Sequence, residues 1–454
     1  MKATRRILDL LRAYESRNVT LIAPDLSGPI VWERARGAHV WDLEGRRYLD
    51  LTAAFGVAAA GHANPRVVAT ARRQMSHLLH AMGDVYPHRL KATLARELSR
   101  LTFERWTGGA GESRISDRGR TMIGATRQPP RTGKVIFGNS GFEAVEAALK
   151  TALLATGRAG VVAFQGAYHG LGYGALTATE RAHFRLPFRS QLNPFVRFAP
   201  FPVSDDAAAR ACAAVRHHLG SGRIGAVLIE PVQGRSGIRV PPSDFLSRVR
   251  ALCDQFGALL IVDEIYTGFG RTGRWFACER GGVVPDLVCL GKALTGGFPL
   301  SACVGRADVM DRAWPEATGE AIHTSTFLGH PVGCAMALSQ IGEIRSRRLP
   351  RRSERLGAVL RTRLSRMAVP AGLVGDVRGL GLMVGFELCH RDGRPACDAV
   401  CEIVRVMLDR GVLILPEGEH GNVLAFTPPL VISQIDLERA VGALEDALAQ
   451  LGSA

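Results

Sequence analysis

Lys292 ends an apolar run within residues 285–297, PDLVCLGKALTGG, and is one of five lysines in a chain with 57 basic residues. A charged ammonium is disfavoured there unless it is paired or its pKa falls, and a lowered pKa makes lysine a nucleophile. A snorkelling or salt-bridged lysine is the alternative, so the residues closing the other apolar runs must decide. After KVIF comes GNSGFEAVEAALK, a tight turn at residues 138–141 and a helix beginning near Phe142. The free N–H groups and dipole of such a start suit a phosphate, with Gly141 admitting close backbone approach; an ordinary helix capped by Ser140 fits the same residues. After VVAF comes QGAYHG, with Tyr168 and His169 at the same rim. The tyrosine can stack on a flat ligand or fill the core, and the histidine can be catalytic or simply hydrogen-bonded. AVLI is followed by Glu230 in EPVQG, and LLIV by Asp263. A carboxylate directly after an apolar strand is costly to bury unpaired, so Asp263 calls for a cation or a protonated ring nitrogen. An amine, a carboxylate, a phosphate cradle and an aromatic in one crevice match one cofactor logic. Lys292 would hold pyridoxal phosphate as a Schiff base, and Asp263 would keep the pyridine nitrogen protonated.

These residues meet only if the apolar runs are neighbouring strands. KVIF (134–137), VVAF (161–164), AVLI (226–229), LLIV (259–262), LVCL (287–290) and ACVG (302–305) alternate with helical stretches. Continuous β-branched runs of this kind predict an α/β fold: a mainly parallel, doubly wound sheet flanked by helices, with ligands beyond the carboxyl ends of its strands. The 29 residues from Asp263 to Lys292 fit one helix or a long loop returning to a neighbouring strand. Residues 28–50 read as a small antiparallel meander, and GHANPRVVATARRQMSHLLHAM, from Gly61, as a helix. After about Pro331 the chain turns helical, passes through VRGLGLMVGFEL and the strand-like NVLAFTPPLVI, and ends in a helix. This tail and the meander are expected to form a second, smaller α+β domain. Residues 1–70 would be its N-terminal segment, 71–330 the large cofactor-binding domain, and 331–454 its C-terminal part. Residues 107–133, rich in glycine and arginine without periodicity, read as a flexible insertion.

With 454 residues, 46% hydrophobic and 22% charged, the chain has the composition of an ordinary globular protein. Its net charge of +15 raises nucleic acid as a partner. The arginines are scattered and no nucleic-acid motif occurs, which leaves only a mildly anion-attracting surface and no nucleic-acid partner. Nine cysteines, an odd number without a CxxC pair, suit a reducing cytoplasm. No run of 18 apolar residues occurs, so no membrane association is expected. GLGYG at 170–174 lacks the full dinucleotide-loop pattern, His217 and His218 lack spaced partners for a metal, and no GxSxG or Walker pattern occurs. No metal is expected.

Taken together, WDLEGRRYLDL, GHANP, FGNSGFEAVEAALK, GAYHG, EPVQG, IVDEIYTGFGRTG, PDLVCLGKALTGG, HTSTFLGHPVG and FTPPLVI run in order along most of the chain. The set resembles the class III, or ω-type, pyridoxal-phosphate aminotransferases of fold type I. The resemblance implies a ping-pong transfer of an amino group between a primary amine donor and a keto or aldehyde acceptor. Lys292 would bind the cofactor and then move the proton, and Asp263 would hold the pyridine N–H. Tyr168 and Ile265 would press on the two ring faces, with His169 beside them. Gly141 and Phe142 would give N–H groups to the phosphate, with Ser140 nearby. Thr326 would reach the phosphate of a second subunit, implying a cytoplasmic homodimer with shared sites. Relatives that use glutamate often carry an arginine in the final strand, gated by the glutamate of EPVQG; here Ala425 stands in that place and Glu230 lacks that partner. The departure favours a cationic or polyhydroxylated amine, an amino sugar for instance, over a simple ω-amino acid. It also admits an isomerase, aminomutase or epimerase, that never alternates donor and acceptor. The insertion at 107–133 is a second departure, without an assigned role.

Overall fold

The computed structural model describes residues 2–20, 29–108 and 132–453. Strands β1 (Trp32–Arg36), β2 (His39–Asp42) and β3 (Arg47–Asp50) form the antiparallel meander expected of residues 28–50. The central sheet has seven strands: β4 (Gly133–Gly138), β5 (Gly160–Phe164), β6 (Val196–Ala199), β7 (Ile224–Ile229), β8 (Leu259–Asp263), β9 (Leu287–Leu290) and β10 (Ser301–Arg306). Their spatial order is β4-β10-β9-β8-β7-β5-β6. Pairings from β6 through β9 are parallel, and β10 alone runs against its neighbours. The sheet is therefore mainly parallel, as the apolar runs imply.

Alternation along each strand divides the interior in two. Val227 and Ile229 join one apolar cluster with the helices Asp205–Leu219 and Phe245–Phe256, while Ala226 and Leu228 join another with the helix Gly141–Thr156. Both faces are covered, which is why the strands carry no polar alternation. Alanines 144, 147, 148 and 152 form much of the inner face of the helix Gly141–Thr156 and let it lie close to the sheet. Gly157, at φ +67°, closes that helix in the left-handed conformation glycine adopts without strain.

A third sheet has the order β11-β12-β15-β14, from β11 (Leu373–Leu380), β12 (Met383–His390), β14 (Leu415–Glu417) and β15 (Val423–Phe426). Between them β13 (Val412–Leu413) pairs in parallel with β3, so segments from both ends of the chain share one sheet. The fully buried Arg271 donates to the carbonyls of Leu382 and Pro428, fastening the loop after β8 to this C-terminal part.

Several elements depart from expectation. Strand β6 was not foreseen, because Arg197 interrupts a short apolar run at the sheet edge. The helix expected from Gly61 occupies Pro65–His77, where Asn64 accepts from the N–H groups of Arg66 and Val67. The crossover from β8 to β9, by contrast, is the long loop of the two expected alternatives, with only the short turn of helix Ala277–Gly281. The helical stretch after Pro331 is two helices, Pro331–Ser346 and Leu349–Ser365. Residues 109–131 of the expected insertion lie outside the described residues. Among those described, no helix is long and apolar enough to cross a membrane.

Candidate active site

Asp263 is the last residue of β8 and lies opposite Cys289 of β9, three residues before Lys292. Its Oδ2 is 2.8 Å from His169 Nδ1, and its Oδ1 accepts the Ile265 N–H at 3.1 Å. His169 follows β5, and its own N–H donates to Thr179 Oγ1 at 2.9 Å, which fixes the loop that carries it. One buried carboxylate is thus oriented from both sides, without a lysine or arginine partner among the described residues.

Lys292 has φ +41°, in the left-handed region that a lysine enters only at a cost. Its Nζ lies 4.8 Å from the Tyr266 ring centroid and forms no ion pair among the described residues. Burial, the largest influence, lowers its pKa; Asp263 and Glu230 pull the other way. More of the amine is therefore unprotonated than for an exposed lysine, the state required of a nucleophile or base.

Ser140 caps the helix Gly141–Thr156, and the Glu143 carboxylate accepts the N–H groups of Asn139 and Ser140. Gly141 and Phe142 come next, in the first turn, where N–H groups have no intrahelical acceptor. A Cβ on Gly141 would stand 3.0 Å from the Ile265 side chain, and one on Gly170, at φ +114°, only 2.4 Å from Phe142 Cβ. Gly141 thus lets the helix start approach the loop after β8, and Gly170 lets the loop after β5 approach the helix start. Between them lies a cavity of about 390 Å³, lined by Gly141, Phe142, Tyr168, His169, Glu230, Asp263, Ile265 and Lys292. Ser140 sits one residue outside it, and Thr326 is exposed on a turn away from it.

Glu230 accepts the N–H groups of Tyr168 at 3.0 Å and Gly234 at 3.2 Å, and burial pushes its carboxyl up to about 7. Ala425 is buried in one apolar cluster with Val232, Ile238 and Met383. The sequence reading missed Tyr266, Arg235 and Glu417. Arg235 lines the cavity and pairs with Glu417 at 3.1 Å, across 182 residues of sequence, which no local motif announces. A larger groove of about 1150 Å³ lies at the opposite, amino-terminal ends of β5 and β7. Arginines and the His217–His218 pair line it without any acid, so it lacks the donor and acceptor set of the smaller cavity. Among the described residues, no three His, Cys, Asp or Glu side chains converge as a metal site.

The smaller cavity fits pyridoxal phosphate: a helix start open to a phosphate, an oriented carboxylate, a tyrosine at the rim and an amine kept partly neutral. A family model described as aminotransferase class-III matches residues 22–448. The 5-aminovalerate aminotransferase of Pseudomonas aeruginosa is 35% identical over 93% of this chain and 94% of its own. The 4-aminobutyrate aminotransferase of Escherichia coli is 34% identical over 91% and 92%. Among solved structures, an amine transaminase from an uncultivated Pseudomonas species, in its PLP-bound form, superposes with a TM-score of 0.82 at 27% identity, covering 96% of this chain and 98% of that one.

Proposed function

The chain belongs to the class-III aminotransferases and is a pyridoxal-phosphate-dependent aminotransferase acting on primary amines; we propose that its donor is an ω-amino acid and that Lys292 and Asp263 are its catalytic residues. The observation that carries this reading is the position of both at the carboxyl ends of adjacent parallel strands, on one cavity wall with the start of the helix Gly141–Thr156. When bound, pyridoxal phosphate supplies a carbonyl that captures amines and an electron-withdrawing ring that stabilises negative charge on the neighbouring carbon.

The chain's own groups supply the rest. Asp263, oriented by His169 and the Ile265 N–H, keeps a proton on the ring nitrogen. Gly141 and Phe142 would give N–H groups to the phosphate at the positive end of their helix. Tyr168 and Ile265 would flank the ring. Lys292 Nζ takes up the proton leaving the amine-bearing carbon of the substrate and returns it, which its lowered pKa favours. Thr326 serves the phosphate of a second copy, making the working form a homodimer.

The test mixes cofactor-loaded protein with ω-amino acids, amino sugars and plain amines in the absence of acceptor. Loss of the pyridoxal absorbance with an ω-amino acid is the expected result. Exchange of the proton on the substrate's amine-bearing carbon with deuterated solvent, without that loss, would make the enzyme an isomerase. Lys292→Ala should abolish turnover while the phosphate cradle still retains cofactor, and full activity in that variant would overturn the assignment.

A further inference from the structure

Besides Lys292, one cation lines the cavity among the described residues: Arg235, directly after the EPVQG turn. It is held in place from several directions. Its Nη1 is 3.1 Å from Oε1 of Glu417, a carboxylate only 4% exposed at the end of β14. Arg181 donates to the carbonyls of Arg235 and Gly418 at 3.3 and 3.2 Å, stapling the two turns together. Arg378 donates twice to the Gly237 carbonyl, at 3.0 and 2.7 Å, and so fixes the far side of the Arg235 turn. The guanidinium carbon lies 5.7 Å from the centroid of Tyr168, the ring that flanks the proposed cofactor position.

This arrangement leaves part of the fork free. Arg235 meets the buried Glu417 carboxylate through Nη1 alone, while Arg181 beside it feels Glu419 as well as Glu417. About a third of the Arg235 side chain remains exposed, on the cavity side. The neighbouring lining residues Val232 and Leu171 are apolar, and Ala425 shares an apolar cluster with Val232. A planar fork held by its back edge suits a carboxylate, which it can meet with two parallel hydrogen bonds. A dianion fits less well, because the Glu417 carboxylate already takes one nitrogen of the fork. A neutral polyol would leave the charge unanswered.

We infer that Arg235, positioned by Glu417, is the specificity-determining residue that receives the substrate carboxylate, at the end of the donor remote from the reacting amine. The inference rests on the aminotransferase reading of the same cavity. The residue takes over, from a neighbouring turn, the role that Ala425 cannot fill.

The experiment compares wild type, Arg235→Gln and Arg235→Lys, each as cofactor-loaded enzyme. The half-reaction is run with 5-aminovalerate and with 1-aminopentane, which has the same chain without the carboxylate. Wild type should prefer 5-aminovalerate, and Arg235→Gln should reduce that preference by about 10- to 100-fold, the worth of hydrogen bonds to a charged group. Arg235→Lys, which keeps the charge and loses the fork, should fall between. If Arg235→Gln does not fold, the lysine variant decides alone. An unchanged preference, or a wild type indifferent to the carboxylate, would overturn the inference. Calorimetric binding of valerate, which has no amine to transfer, separates this inference from the proposed function. Should wild type convert neither donor, the ω-amino-acid reading fails; valerate binding that Arg235→Gln loses would still assign the carboxylate to Arg235, and equal binding by both would refute it.

Discussion

Glu230→Gln separates the titration of an acid buried in the cavity from the backbone hydrogen bonds it accepts. Burial is the main cause that raises its carboxyl from 4.5 to about 7; Asp263 adds to the rise, and His169 with the Tyr168 and Gly234 N–H groups opposes it. A carboxyl whose pKa rises on folding stabilises the fold in its protonated form. That contribution is complete below the unfolded value of 4.5 and is lost as pH rises through about 7. From the two pKa values, it shrinks by about 2 kcal/mol between about pH 5.5 and about pH 8. Glutamine does not titrate, but it can offer an oxygen to only one of the two N–H groups, which costs about 1 to 2 kcal/mol at either pH. The variant should therefore be less stable than wild type at the lower pH and about equal to it at the higher. At roughly 2.1 cal/mol/K per residue, a 2 kcal/mol change in a chain this long moves the midpoint by about 2 °C. The assay is thermal unfolding of both cofactor-free proteins at the two pH values and one ionic strength. Groups titrating independently of Glu230 cancel in the difference of differences. A value of zero, or a variant that loses ground as pH rises, would refute the claim that burial raises the Glu230 carboxyl pKa.

Two further substitutions probe the site. Asp263→Asn keeps an acceptor for the Ile265 N–H but removes the charge; kcat in the half-reaction should fall by about two to four orders of magnitude with cofactor still bound, and a near-normal rate would remove Asp263 from the mechanism. Gly170→Ala places a Cβ 2.4 Å from Phe142 Cβ at a φ of +114°, so it should cost at least about 2 kcal/mol and weaken cofactor retention; a variant with wild-type melting and cofactor content would show that the glycine contact is not needed to shape the cradle.

The residues of the candidate site were legible in the sequence because a parallel sheet brings the residues that follow its strands to one edge. Asp263, Glu230, Tyr168, His169 and Lys292 each follow or close an apolar run, so locating the strands located the cavity. Strand β6 escaped because a strand at the sheet edge tolerates an exposed Arg197, which breaks the run that marks a buried strand. The recognition end of the cavity was hidden for a different reason. The absent arginine at Ala425 left Glu230 looking unpartnered and pointed toward a cationic or polyhydroxylated substrate. In the fold, two backbone N–H groups engage the Glu230 carboxyl and burial raises its pKa to about 7, so it makes less demand for a cation than an ordinary carboxylate. The positive charge is supplied instead by Arg235, and its orientation depends on Glu417, a residue of the C-terminal sheet. Bond-making chemistry thus resides in the order of strands within one sheet, which local sequence reveals. Substrate choice resides where the C-terminal sheet meets the EPVQG turn, and that contact exists only once both have folded. By this argument a change confined to β14, such as Glu417→Ala, should alter the preference for carboxylate-bearing donors while Lys292 and Asp263 keep their geometry. Loss of activity toward every donor alike, in a folded and cofactor-loaded variant, would show that the two functions are not separable.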